Sequence, residues 1–326
     1  MIASRDWSRL GGLMFVARRL VQGLYAGRHP AAAHGPGLEF HDYRSYVPGD
    51  DLAAVDWKLY GRTDRYFIRR HRQYTDLNLY LMVDATASMN FAGVQQQRWG
   101  GIRAKTLTPA LPRVSLGRER GSDRVALPTK FEYAATLAAA IAFLAIRRAD
   151  RAGVGVFADR LLEHVQPGGT WAHLQRLCHT LEHVEPVAGE GNMAASLAQG
   201  RTMLRRRGVL LLISDLLDPP AALFDGLARF RHDRFEVIVF QVLTREELAL
   251  AGLERASLRM IDAETRMTVS ADLARVRGAY REALGAHLTA IRRGCAARDV
   301  DYNLLTTNQS IVPALRRYLA RRRRNF

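Results

Sequence analysis

Cysteine is scarce in this 326-residue chain: Cys178 and Cys295 stand alone, and neither belongs to a Cys-x-x-Cys pair. That excludes a disulfide framework and a cysteine-ligated zinc site, and it suits a reducing compartment. Lysine is almost absent. Of 48 basic residues only Lys58, Lys105 and Lys130 are lysine, leaving 45 arginines. The formal net charge of +16 therefore carries the arginine bias of a GC-rich genome, and is weak ground for a nucleic-acid partner. The ten histidines show no H-E-x-x-H or comparable spacing, so no histidine-built metal hydrolase is indicated. Long apolar runs are missing too: the longest, Ala134 to Ile146, falls short of the ~20 residues that a membrane span needs. Arg18-Arg19 interrupts the apolar stretch near the N-terminus, which reads against a signal peptide. A soluble, cytoplasmic protein is expected, with peripheral membrane contact left open.

What is present is ordinary globular material, 48% hydrophobic and 25% charged, long enough for one large domain or two modest ones. Leu13, Val16, Leu20 and Leu24 recur at helical spacing between arginines, which predicts an amphipathic helix. After a Gly/Pro-rich stretch, Pro48-Gly49 marks a turn. Asp50-Asp51 is placed to cap a short helix running to about Tyr60, and residues 66–71 alternate like a strand. Asp50, Asp51 and Asp56 read as helix caps and ion-pair partners of Arg44 and Arg62 rather than as an acidic site. Tyr43, Tyr46 and Trp57 read as aromatics packed on the main domain.

From residue 77 onward apolar strands alternate with helices: strands at 77–85, 152–159, 208–217, 235–243 and 300–307, helices at 131–148, 171–184, 193–206, 220–230 and 272–297, and a hairpin over 257–270. Such alternation means βαβ units and a mainly parallel α/β sheet flanked by helices. LLEHVQP, which follows the 152–159 strand, reads as an edge. Residues 92–129 break the pattern with three prolines and seven basic residues against two acidic ones, and read as a flexible basic insertion. Residues 321–326, with Arg321 to Arg324, read as a solvated basic tail.

In an open parallel sheet, ligands bind beyond the carboxyl ends of the strands. Two strands end there in an acid, LMVDATAS at Asp84 and LLISDLLD at Asp215. Thr86 and Ser88 follow Asp84 at a spacing that lets one tight loop offer a carboxylate and two hydroxyls to a single point. Hard cations such as Mg²⁺ take that oxygen set. Plainer roles stand beside this one: Asp84 as a turn cap, Asp215 as a helix N-cap before Pro219, and Asn192 as the N-cap of a helix from Met193.

The Asp84 loop, with a second acid after a later strand, resembles the metal-ion-dependent adhesion site of von Willebrand factor A domains. The upstream stretch GPGLEFHDYRSYVPGDDLAAVDWKLYGR resembles the hallmark of the family called domain of unknown function 58. The similarity continues through KFEYAATLAAA, LLISDL and YNLLTT to about residue 320. The resemblance implies a von Willebrand factor A-like (Rossmann-like) domain over 76–320, with a family-specific segment over 1–75 packed on it. It also implies a divalent cation, Mg²⁺ with Mn²⁺ or Ca²⁺ as substitutes, at Asp84, Thr86, Ser88, Asn192 and Asp215. Thr86 replaces the family's first serine with its hydroxyl kept. Asn192 stands in the loop where the family places a threonine, and offers an amide oxygen instead.

The implied role is a non-enzymatic, chaperone-like interaction module whose partners are a MoxR-type AAA+ ATPase and an acidic residue met at the metal. A basic scaffold for nucleic acid or membrane surfaces is the alternative, and a metal-dependent hydrolase a lesser one. Two-metal phosphodiester chemistry needs more carboxylates and a positioned base than the sequence offers.

Overall fold

The run Gly208–Ser214 is apolar at nearly every position because both of its faces are buried. Val209, Leu211 and Ile213 enter one core cluster, while Leu210 and Leu212 enter another on the opposite face. This is the period-2 alternation of a strand with helices on both sides.

The computed structural model describes residues 12–25, 40–47, 55–71, 77–92, 128–187, 192–204, 206–249, 257–261 and 268–324. The chain divides into a small unit, Tyr25–Asp76, and a large one formed by Met1–Leu24 with Leu77–Phe326. The expected basic insertion lies almost wholly outside the described residues, as do Asp50 and Asp51.

The large unit opens with α1 (Gly12–Tyr25), whose Leu13, Ala17 and Val21 are completely buried in the first core cluster. Its six-stranded sheet is built from β3 (Asn78–Asp84), β4 (Arg151–Phe157), β5 (Leu161–Gly168), β6 (Gly208–Ser214), β7 (Glu236–Leu243) and β10 (Asp301–Thr306), in the order β10-β7-β6-β3-β4-β5. All neighbours are parallel except β4 and β5, so LLEHVQP forms the expected edge strand. The mainly parallel sheet flanked by helices is the architecture expected of a von Willebrand factor A-like domain.

α3 (Lys130–Ile146), α4 (Trp171–His183) and α9 (Val312–Arg324) join α1 on one face. α5 (Met193–Met203), α6 (Pro220–His232) and α8 (Leu273–Ala296) cover the other. α9 continues through Arg324. α3 is buried almost all round, which explains why its sequence is apolar without polar stripes. Thr129 and Glu132 start it with a reciprocal capping box. The short α7 (Arg245–Ala249) and the two-stranded β8 (Ser257–Ile261) and β9 (Thr268–Asp272) complete the unit; the latter pair is the expected hairpin, and α7 was not anticipated.

In the small unit β1 (Phe40–Ser45) pairs antiparallel with β2 (Phe67–His71). The helix α2 (Trp57–Thr63) begins at Trp57, several residues later than expected. Asp56 caps it, accepting from the backbone N–H of Lys58 and Leu59. The Tyr60 and Tyr66 rings stack with centroids 4.5 Å apart, and Trp57 meets both edge-on. Trp57 keeps 57% of its surface exposed.

Candidate metal centre

The winding of the sheet reverses at β3. From β3 the chain crosses to β4 on one side, whereas β6 leads to β7 and then β10 on the other. The carboxyl ends of β3 and β6 therefore flank a topological switch point, where open α/β sheets form their ligand crevices. Asp84 closes β3 and Ser214 closes β6, two strands paired in register from Asn78↔Gly208 to Val83↔Ile213.

The registration sets the first contact: the Ser214 hydroxyl donates to Asp84 Oδ2 at 2.5 Å. The other carboxylate oxygen, Oδ1, accepts the Thr86 backbone N–H at 2.8 Å. Thr86 Oγ1 and Ser88 Oγ lie 3.1 Å apart, because Thr86 precedes a 3₁₀ turn over Ala87–Asn90 that brings Ser88 back beside it. The loop is strapped on both sides. The Ala85 N–H donates to Phe157 O, and the Val187 N–H donates to Ala85 O. Asp84 is 2% exposed. Its burial, reinforced by the nearby Asp215 carboxylate, pushes its pKa up to about 7 against the hydrogen bonds from Ser214 and Thr86.

Asp215 also lies at this edge, but its Oδ2 accepts from the Lys130 ammonium at 2.7 Å. The same ammonium donates to Glu247 Oε1 at 2.5 Å. Asp215 is thus not a helix cap, and α6 starts instead from Pro219. After it, Leu216 adopts a left-handed backbone with φ +50°. That conformation is costly for a branched side chain, and it is held here by the Ser214 hydroxyl and by His287, which bonds Leu216 O. Burial and the Asp215 charge also raise the pKa of Asp218.

Asn192 takes its plainer role. Its Oδ1 accepts the Ala195 N–H at 2.9 Å and caps α5, and the residue is exposed. The structure therefore gathers Asp84, Thr86 and Ser88 in one loop and sets Asp215 in the adjoining one, and it engages Asn192 with its own helix. One carboxylate and two hydroxyls are hard oxygen donors of the kind that divalent cations take, while no group of three or more His, Cys, Asp or Glu side chains is gathered to hold a metal among the described residues. Among the described residues the hydrogen bonds to Asp84 come from Thr86 and Ser214, and they do not offset the effect of burial and of the Asp215 charge on its pKa.

Three participants escaped the sequence reading: Lys130, Glu247 and Ser214. Glu247 had a signal, since Thr244-x-x-Glu247 is a capping box: Glu247 Oε2 accepts the Thr244 N–H and Thr244 Oγ1 accepts the Glu247 N–H. Lys130 had another, as a lysine heading an apolar helix in a chain with 45 arginines and only three lysines.

A model of the family described as protein of unknown function DUF58 matches residues 42–127 and 112–290. The chain belongs to this family. Uncharacterised proteins of Mycobacterium bovis and Mycobacterium tuberculosis are 25% identical to it over 319 residues, covering 96% of this chain and 88% of theirs. Among solved structures, BatB from Bacteroides thetaiotaomicron aligns with a TM-score of 0.44 at 11% identity, over 75% of this chain and 98% of that one. The SpRpn10 VWA domain aligns with a TM-score of 0.39 at 8% identity, over 74% and 94%. No helix among the described residues of this DUF58 protein is long and apolar enough to cross a membrane.

Proposed function

We propose that this DUF58 protein is a non-enzymatic, metal-dependent protein-interaction module that acts with a MoxR-type AAA+ ATPase in chaperone-like assembly or maturation of client proteins. One observation carries the metal dependence. The Asp84 carboxylate is buried beside the Thr86 and Ser88 hydroxyls, and among the described residues its hydrogen bonds come only from Thr86 and Ser214.

A buried anion without a cationic partner is costly, and Asp84, Thr86 and Ser88 would hold Mg²⁺, or Mn²⁺ or Ca²⁺ in its stead. A bound divalent cation supplies residual positive charge at the crevice, because the loop offers it one carboxylate. The chemistry that answers that charge is an acidic side chain of the ATPase or of its client. The family membership supports the ATPase partner only by analogy.

Co-purification tests the reading. The wild-type chain should retain a MoxR-type ATPase in Mg²⁺ and lose it in a chelator, while Asp84→Ala should lose it in both. Unchanged retention by Asp84→Ala, together with unchanged Mg²⁺ affinity, would sink the proposal.

A further inference from the structure

Lys130 is fully buried, although lysine is among the residues least often found so. Its ammonium is held from two sides by groups on separate elements, Asp215 after β6 and Glu247 in α7. Glu247 is itself fixed, because its second oxygen closes the capping box on Thr244 N at 2.7 Å. Tyr280 secures the same turn by donating to Glu247 O. The ammonium position is therefore over-determined.

The two carboxylates at the switch point are balanced in different ways. Asp215 is neutralised by a cation tethered to α3, whereas Asp84 is met by one hydroxyl and one backbone N–H. A divalent ion placed against Asp84 meets a like charge on the Asp215 side, where one carboxylate oxygen is already taken. Lysine suits this corner better than arginine, since a compact ammonium can be shared between two single oxygens while a guanidinium demands a planar fork.

We propose that Lys130 is a tethered counter-ion that withholds Asp215 from the cation, confining a divalent ion to Asp84, Thr86 and Ser88 and keeping its affinity low. This inference rests on the metal-binding reading of the Asp84 loop. It assigns the lysine a purpose: an ion held by one carboxylate keeps more positive charge for an acidic group of a partner than an ion held by two.

The test is calorimetric titration of the full chain with Mg²⁺ and with Mn²⁺ at low salt. Lys130→Met should bind about tenfold more tightly than wild type or better, as loss of a nearby unit charge implies. Glu247→Gln, which leaves the lysine wholly to Asp215, should bind more weakly. A merely structural lysine predicts weaker binding by Lys130→Met, so the sign separates the two roles. If Lys130→Met does not fold, the double variant Lys130→Met/Glu247→Gln replaces it and should bind more tightly than Glu247→Gln alone. Equal or weaker binding by the lysine variants, with wild-type binding intact, overturns the counter-ion role only. Absence of binding in wild type and in every variant overturns the metal reading itself.

Discussion

The ammonium of Lys130 lies 2.7 Å from Asp215 Oδ2, with the lysine side chain fully buried and the aspartate side chain 5% exposed. The first residue of α3 is thereby joined to the loop that follows β6, and through Glu247 to the turn that follows β7. Removing one member of such a pair leaves a bare charge in the interior, and the cost comes mostly from that charge.

Metal-free Lys130→Met should accordingly lose about 3 kcal/mol of unfolding free energy, read from urea midpoints at unchanged slope. Mg²⁺ should return more stability to this variant than to wild type, because the freed Asp215 becomes available to the cation. A variant as stable as wild type without metal would mean that the pair contributes nothing.

The Asp84 charge gives the protein a pH dependence of unusual sign for a carboxylate. An aspartate in the unfolded chain titrates near 3.8, whereas burial and the Asp215 charge hold Asp84 near 7. The folded state thus binds the proton more tightly over that interval. Asp84's contribution is complete below the lower value and falls as pH rises through the upper one, by up to ~1.4 kcal/mol per pH unit. Metal-free wild type should lose stability between pH 4 and 7 relative to Asp84→Asn in parallel denaturation series. Mg²⁺ affinity should rise over the approach to about pH 7, since the proton competes for the same carboxylate.

Asp84→Asn should also be more stable than wild type in chelator at neutral pH, because it removes a buried charge and keeps the shape. The amide presents one oxygen, which can accept from Thr86 or from Ser214 but not from both. The gain should therefore be modest, about 1 kcal/mol. The same variant should show no shift in melting temperature on adding Mg²⁺, whereas wild type should rise. A melting temperature of Asp84→Asn that follows Mg²⁺ as wild type does would place the cation elsewhere.

The Lys130 backbone N–H donates to Phe91 O at 3.0 Å, so the chain leaves and re-enters the large unit at one point around the basic insertion. Replacing residues 93–127 by a short Gly/Ser linker should raise stability by no more than about 1–2 kcal/mol, since loop length enters closure entropy only logarithmically, at about 0.6 kcal/mol per doubling. Mg²⁺ affinity should hold and affinity for the ATPase partner should fall. Parallel loss of folding and of metal binding would show that the insertion belongs to the core.

Much of this was legible in residues. The doubly buried strand at Leu210 to Ile213, the half-buried edge at Leu161 to Pro167 and the nearly wholly apolar α3 all follow from side-chain period and length. The Asp84 loop was legible because its three donors lie within five residues, and a local turn suffices to bring them together. The first turn of α2 was misplaced because Asp50, Asp51 and Asp56 are equally good caps by composition. The choice of Asp56 is visible in its bonds to Lys58 and Leu59.

By itself the sequence determined the α/β class, the strands that carry Asp84 and Asp215, and the oxygen chemistry of the loop, because hydrophobic period and short-range spacing specify those. Only the tertiary structure decided how the charges there are divided. Lys130, Asp215 and Glu247 come from three elements far apart in the chain, and whether a buried carboxylate meets a lysine or only hydroxyl and amide dipoles depends on strand order and helix placement. Among the described residues, that division gives Asp84 a hydroxyl and a backbone N–H and gives Asp215 the Lys130 ammonium.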